Sequence, residues 1–289
     1  MKVSGLLLCM AGMATLCAMD AVVKALGAHL GTFQIALIRF SGAALWLVPY
    51  ILVTRSSWPR PQNWRRHLLR SAIMVCTACL FFYGVAHLPL AIITALGLSA
   101  PLYVSLFGIV FLKERPTWML GVAILLGVAG SVVMVVSGDF GGGSDITGWI
   151  AGLLAPISYA AGIVMLKHHT DDEGAAALTL GTAIVATLVM APLAIPAFVL
   201  PPSDVWPLMG LVGLLGASGF ILLTTGLRTT AASAFAIVDY TTLLWAAFYG
   251  FVFFAEVPDL PFWFGAALIV AACVLGMRAN AKVATPVAT

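Results

Sequence analysis

Residues 110–116 read VFLKERP, and residues 252–258 read VFFAEVP. The two stretches lie 142 residues apart in a chain of 289, and each closes an apolar run on glutamate and then proline. Sliding the chain by that distance also pairs Leu80 with Leu222, Gly84 with Gly226, Gly108 with Gly250 and Phe111 with Phe253. At a shift of 143, Gly5 meets Gly148 and Lys24 meets Lys167. The chain therefore reads as two copies of one unit, joined near DFGGGSD at 139–145.

Composition says what kind of unit this is. Apolar residues make up 62% of the chain and charged residues 9%, with a mean hydropathy of +1.08. A soluble domain carries about 25% charged residues because its surface meets water. Nine per cent cannot coat such a surface, so most of this one faces lipid. One helical crossing takes about 20 mostly apolar residues. Ten segments qualify, at 4–26, 32–53, 68–87, 90–112, 117–137, 147–167, 175–199, 206–227, 231–254 and 261–278. The expected fold is an all-α integral membrane protein of ten transmembrane helices. Five helices per unit is an odd number, so the second unit enters the membrane upside down relative to the first. That is an inverted repeat, the construction that lets one shared cavity open to either side. The expected boundaries are 1–138 for the first repeat, 139–146 for the linker, 147–278 for the second repeat and 279–289 for a frayed cytoplasmic tail.

Lys and Arg set the orientation. With the N-terminus inside, 12 of the 14 basic residues fall on the cytoplasmic side, five of them around RPQNWRRHLLR between the second and third spans. Lys24 falls outside and Arg39 lies within a span. Both termini are expected in the cytoplasm of a cell that carries this chain in its inner membrane. The basic loop at 55–70 suits anionic lipid head groups rather than nucleic acid.

FLKERPTWMLGVAILLGVAGSVVMV and FAEVPDLPFWFGAALIVAACVLGM, each a glutamate-bearing helix end followed by a glycine-spaced helix, resemble the two copies of the signature of EamA-type transporters, in the drug/metabolite transporter superfamily. The resemblance covers nearly the whole chain. It implies a secondary transporter, commonly an exporter of amino acids or other small metabolites, that works by alternating access. One bacterial branch of that family exports aromatic and other amino acids. The resemblance also implies that helices three, four, eight and nine line a central cavity, with five and ten at the periphery.

The Glu-x-Pro ending has a physical reading of its own. A carboxylate at a helix C-terminus opposes the helix dipole. Set just before the next helix, it can instead accept hydrogen bonds from that helix's free amides. Proline stops the first helix and suits the start of the second. Glu114 and Glu256 are therefore expected to fix two tight turns, outside the binding site.

Charges within spans are costly and so informative. Asp20 and Arg39 both sit about 10 Å below the outer surface, on helices joined by a short loop. One reading makes them an intramembrane ion pair. In the other, Arg39 faces the cavity and holds a substrate carboxylate, with Asp20 as its partner in the empty state. Lys24, one turn above Asp20, could compete for it. Asp239 lies near the midplane of the ninth span without a basic residue at matching depth. It is either a protonated carboxyl bonded to Thr241 or Thr242, or a site for a substrate amine or a proton.

Aromatic residues add a second set. Tyr103, Phe107 and Phe111 recur at helical spacing, and their repeat partners are Trp245, Tyr249 and Phe253. Each trio stacks along one helix face, as core or lipid contact or as two symmetric walls of a pore with Tyr and Trp donors. Tyr83 and His87 share a face near the outer end of the third span, and Tyr240 neighbours Asp239. Pro101 and Pro156, at mid-span, each remove a backbone hydrogen bond and suit kinks used in gating.

Other signals lead nowhere. CTAC at 76–79 has redox spacing but sits inside a membrane helix. GGG at 141–143 lacks the lysine and hydroxyl of a phosphate loop. No metal, cofactor or catalytic set is expected. The expected partners are a small-molecule substrate and membrane lipid, with a homodimer as an open option. Export of small organic metabolites leads as the expected function, amino acids first, including aromatic or apolar ones. Import of a cofactor-like or nucleotide-like metabolite is the rival within transport, and an intramembrane enzyme the rival outside it.

Overall fold

The computed structural model describes residues 3–60, 62, 64–100, 102–103, 106–107, 118–137, 146–166, 174–227 and 241–283. Ten α-helices and two short 3-10 turns are bounded by these residues, Ala100, Leu102, Tyr103, Leu106 and Phe107 are helical as well, and no described residue is in a strand. We number the helices α1 (Val3–Gly27), α2 (Thr32–Thr54), α3 (Trp64–His87), α4 (Leu90–Gly97), α5 (Trp118–Ser137), α6 (Ile146–Leu166), α7 (Ala175–Ala194), α8 (Trp206–Leu227), α9 (Thr241–Phe254) and α10 (Leu260–Val283). Five of them are long and apolar enough to cross a bilayer within the described residues, and four more are shorter apolar helices.

Several helix ends have identifiable causes. Arg55 closes α2 in the left-handed region, φ 51°, and its N–H bonds Ile51 O. Ala255 turns the chain after α9 at φ 54°. Both are non-glycine residues in a conformation that glycine usually supplies at helix C-termini. Asp259 starts α10 as its N-cap, with Oδ1 accepting the Phe262 N–H at 3.0 Å;. The tenth helix then continues to Val283, past the expected end at 278, because Arg-Ala-Asn-Ala-Lys contains no breaker;. The expected tail is thus helical through 283.

The largest departure is in the fourth span. An unbroken helix was expected over 90–112, but α4 stops at Gly97 and the chain turns at Leu98 and Ser99. Ser99 donates both its N–H (3.0 Å) and its hydroxyl (2.6 Å) to Leu96 O. A proline at 101 has no N–H for the Gly97 carbonyl, which accounts for the interruption four residues earlier. Pro101 itself lies outside the described residues, as do Glu114 and the linker at 139–145.

The way the helices pack carries the repeat into three dimensions. α1 packs on α8 and α3 on α6; α2 packs on α8 and α3 on α7; α1 packs on α9 and α4 on α6. α2 with α7, α4 with α9 and α5 with α10 form the remaining principal pairs. Exchanging helix n with helix n+5 maps each of these pairs onto another or onto itself. The two halves are therefore related by an approximate two-fold axis. Their senses are opposite. Gly174 at the start of α7 lies beside Ser57 after α2, and Val199 after α7 bonds Gln34 at the start of α2. The fold is two inverted five-helix repeats.

Glycine makes the closest crossing available. A Cβ on Gly213 of α8 would stand 2.6 Å from Gly42 Cα of α2, so neither backbone could approach as it does with alanine in its place;. Leu45, Leu125, Leu188 and Leu260 are exposed on the outside of the bundle, as lipid contact requires;. α5 and α10 pair with each other and meet the rest chiefly through α4, which fits the peripheral place that the resemblance implies.

Candidate functional site

An open cleft lies among α2, α3, α7 and α8. Its walls are Arg39 and Phe40 from α2, Arg70 and Met74 from α3, Thr179 and Thr182 from α7, and Gly216 and Phe220 from α8. Helix rise places Arg39 about 22 Å from the Thr54 end of α2 and Arg70 about 9 Å from the Trp64 end of α3. The cleft thus runs from Arg39, about 10 Å from the Thr32 end of α2, toward the Trp64 end of α3.

Arg39 is 7% exposed. Its Nε donates to Met19 Sδ at 3.3 Å, and its guanidinium carbon stands 4.7 Å from the Phe40 ring centroid and 5.6 Å from those of Phe82 and Phe220. Cation–π contacts of this kind hold a guanidinium in apolar surroundings without a carboxylate. Asp20 is near enough for the two charges to act on each other, but no N–O contact within 4.0 Å joins them. The expected contact ion pair is therefore not formed in this structure: the guanidinium lies among sulfur and rings instead.

Where α1 and α9 end and α4 begins, a second constellation holds helices together. Lys24 Nζ meets Glu256 Oε1 at 2.6 Å and donates to Leu88 O at 2.6 Å. Glu256 Oε2 accepts the Leu90 N–H at 2.8 Å. Lys24 also stands 5.4 Å from the Phe254 ring centroid. One carboxylate thus ties α1, the α9–α10 turn and the first turn of α4, where it favours the positive helix end. Nearby, Gln34 exchanges two hydrogen bonds with Val199, 2.7 Å from Nε2 to the carbonyl and 3.1 Å from the amide to Oε1.

This alters the reading of Glu256. It does sit in the turn, but it does not cap the helix that follows; Asp259 does that. The left-handed Ala255 directs the Glu256 side chain across to α4 instead. Lys24 goes with Glu256 rather than with Asp20 one turn away.

A protein-family model described as the EamA-like transporter family matches residues 3–136 and again 146–278. The chain belongs to the EamA-like transporter family. Curated relatives span about three quarters of it or more. The pseudopaline exporter CntI of Pseudomonas aeruginosa strain UCBPP-PA14 is 30% identical over 282 residues, spanning 94% of this chain and 95% of that one. An S-adenosylmethionine uptake transporter of Rickettsia felis is 25% identical, spanning 88% and 85%. A riboflavin transporter of Brucella anthropi is 26% identical, spanning 76% and 78%. A solved crystal structure superposes over 99% of both chains with a TM-score of 0.68 at 16% identity, a likeness of fold.

Within this EamA-like transporter the residues expected at a site fall into separate places. Arg39 lines the cleft. Tyr83 and His87 stack at 4.1 Å at the outer end of α3, with Tyr83 OH 2.7 Å from Thr147 Oγ1 of α6 and His87 Nδ1 2.8 Å from Tyr83 O. Trp245, Tyr249 and Phe253 form a ladder along α9 with centroids 6.2 and 6.1 Å apart, and Phe253 at its end is 65% exposed. Tyr103 is half-buried after the α4 break. None of these aromatic residues lines the cleft with Arg39. Pro156 is buried within a continuous α6. Asp239 and Tyr240 lie outside the described residues.

The cleft lies on α2, α3, α7 and α8, whereas the resemblance implies helices three, four, eight and nine; 101, 104–105 and 108–112 of the fourth span and 231–240 of the ninth are outside the described residues. Arg70, Thr179 and Thr182 were missed. Arg70 had a signal: it falls two residues inside the expected third span, where a charge is costly, but it stood in a run of basic residues that reads as a loop.

Proposed function

We propose that the chain is a secondary transporter that exports small organic metabolites by alternating access, with amino acids, including aromatic or apolar ones, as the leading substrates. The observation that carries this reading is the asymmetry of the bundle. The cleft that holds the buried Arg39 extends toward the inner end at Arg70, while Lys24, Glu256, Leu90 and the Gln34–Val199 pair tie the outer end together. That is the arrangement of a carrier open toward one compartment. Interchange of the two inverted halves supplies the other state.

In this reading Arg39 binds the substrate acid group and Asp20 offsets its charge when the cleft is empty. Asp239 receives a substrate amine or a proton. Tyr240, Trp245, Tyr103, Tyr83 and His87 contribute ring and donor contacts along the path, and Pro101 and Pro156 serve as flexion points. The repeats span 1–138 and 147–278 about the 139–146 linker, in the inner membrane, with both termini cytoplasmic. The 30% identical relative is an exporter, which supports the direction. Uptake is the second reading, favoured by the relatives that carry S-adenosylmethionine and riboflavin. Counterflow in proteoliposomes loaded in turn with amino acids and with vitamins tests both. Exchange of amino acids supports the first, exchange of the vitamins alone supports the second, and exchange of no small solute refutes transport.

A further inference from the structure

We infer that the cleft is a two-point anion site, built for an elongated small molecule with an acid group toward each end. The inference rests on the transport reading for its use but on the cleft alone for its chemistry. Arg39 is the deep anchor. The residue is 7% exposed, and among the described residues its partners are the Met19 sulfur, three aromatic rings and, through space, Asp20. A guanidinium carries five donors in a planar fork. Sulfur takes the Nε donor, and rings satisfy charge without accepting the remaining N–H groups. An acid group entering from the cleft would supply those acceptors in bidentate geometry.

Arg70 is the second anchor. It lines the same cleft from α3, beside Thr179 and Thr182 of α7. The level is fixed by Ser71, whose hydroxyl donates to Thr182 O at 3.3 Å. By helix rise, the two arginines stand about 13 Å apart along the bundle. Met74 and Phe220 lie between them, so the middle of the occupant is apolar. A compact amino acid reaches one anchor at a time; a longer diacid reaches both.

Thermal stabilisation of the purified protein in detergent by straight-chain α,ω-diacids of four to ten carbons, with the matching monoacids and α,ω-diamines, tests this without requiring transport. Stabilisation should grow with the separation of the acid groups and exceed that of the monoacid of equal length, and diamines should give none. Each lost charge-assisted contact weakens binding by about 10- to 100-fold. Arg70→Gln should therefore reduce the longer diacids to the level of monoacids, and Arg39→Gln should weaken both series. Arg39→Lys keeps the charge but loses the fork, and should recover only part of the affinity.

Equal binding of monoacids and diacids at every length, or binding of diamines, overturns the two-point site. The two readings fail separately. Diacid-length dependence without counterflow keeps the cleft and sinks transport; counterflow indifferent to acid groups keeps transport and sinks the cleft.

Discussion

Replacing Glu256 by alanine removes one carboxylate and orphans two groups at once. Lys24 loses its 2.6 Å partner, and the Leu90 N–H loses its 2.8 Å acceptor at the start of α4. An exposed ion pair is worth about 0–1 kcal/mol, and breaking a fully buried one costs about 3–5 kcal/mol. The two side chains are 16% and 19% exposed, which puts the loss between these limits, at about 2–3 kcal/mol;. If the contacts exist only while the outer end is shut, that loss multiplies the population open to the outside by about 30- to 150-fold. A minor outward-open state at about 1% would rise to roughly a quarter or more. Spin labels at Ala28 and Val257, both exposed at the outer end, read this directly as a second, longer distance in a background without the native cysteines. Lys24→Met should produce the same component. Exchanging the two residues should not restore the short distance. Glutamate at 24 would face the Leu88 carbonyl and lysine at 256 would face the Leu90 amide, each a mismatch. A distance distribution unchanged in all three variants would show that this carboxylate does not hold the outer end shut.

Further consequences are open to measurement. Gly213→Ala should lower thermal stability in detergent by about 1–3 kcal/mol, since its Cβ would stand 2.6 Å from Gly42 Cα; an unchanged melting temperature would mean the crossing is looser than this geometry;. Charge exchange between Asp20 and Arg39 should fail to rescue the single variants in counterflow, because Arg39 is held by Met19 and three rings rather than by a contact carboxylate; full rescue would restore the simple ion pair. Asp239→Asn should slow exchange or flatten its dependence on pH, and a wild-type profile would remove Asp239 from the mechanism. Reporter fusions after residues 141 and 171 should land on opposite sides of the membrane; the same side for both would contradict the inverted halves.

What was legible in the chain itself was whatever the bilayer imposes one segment at a time. A span needs its own run of apolar residues, so the spans could be read from local composition. The repeat was legible for a related reason: Glu-x-Pro at 114–116 and 256–258 is a comparison of sequence with sequence. Rotation of each helix about its axis and its choice of neighbour are different quantities, set by side-chain packing between segments far apart in the chain. Lys24 is one turn from Asp20 yet pairs with Glu256, 232 residues away, because α1 packs on α9 and Ala255 turns the carboxylate toward α4. Arg39 and Arg70 share a cleft because α7 and α8 draw α2 and α3 around it, and nothing in either residue's own neighbourhood announces the other. Lipid solvation thus wrote the topology into the sequence, while the cleft and the outer clasp came into being only when the two halves were packed together.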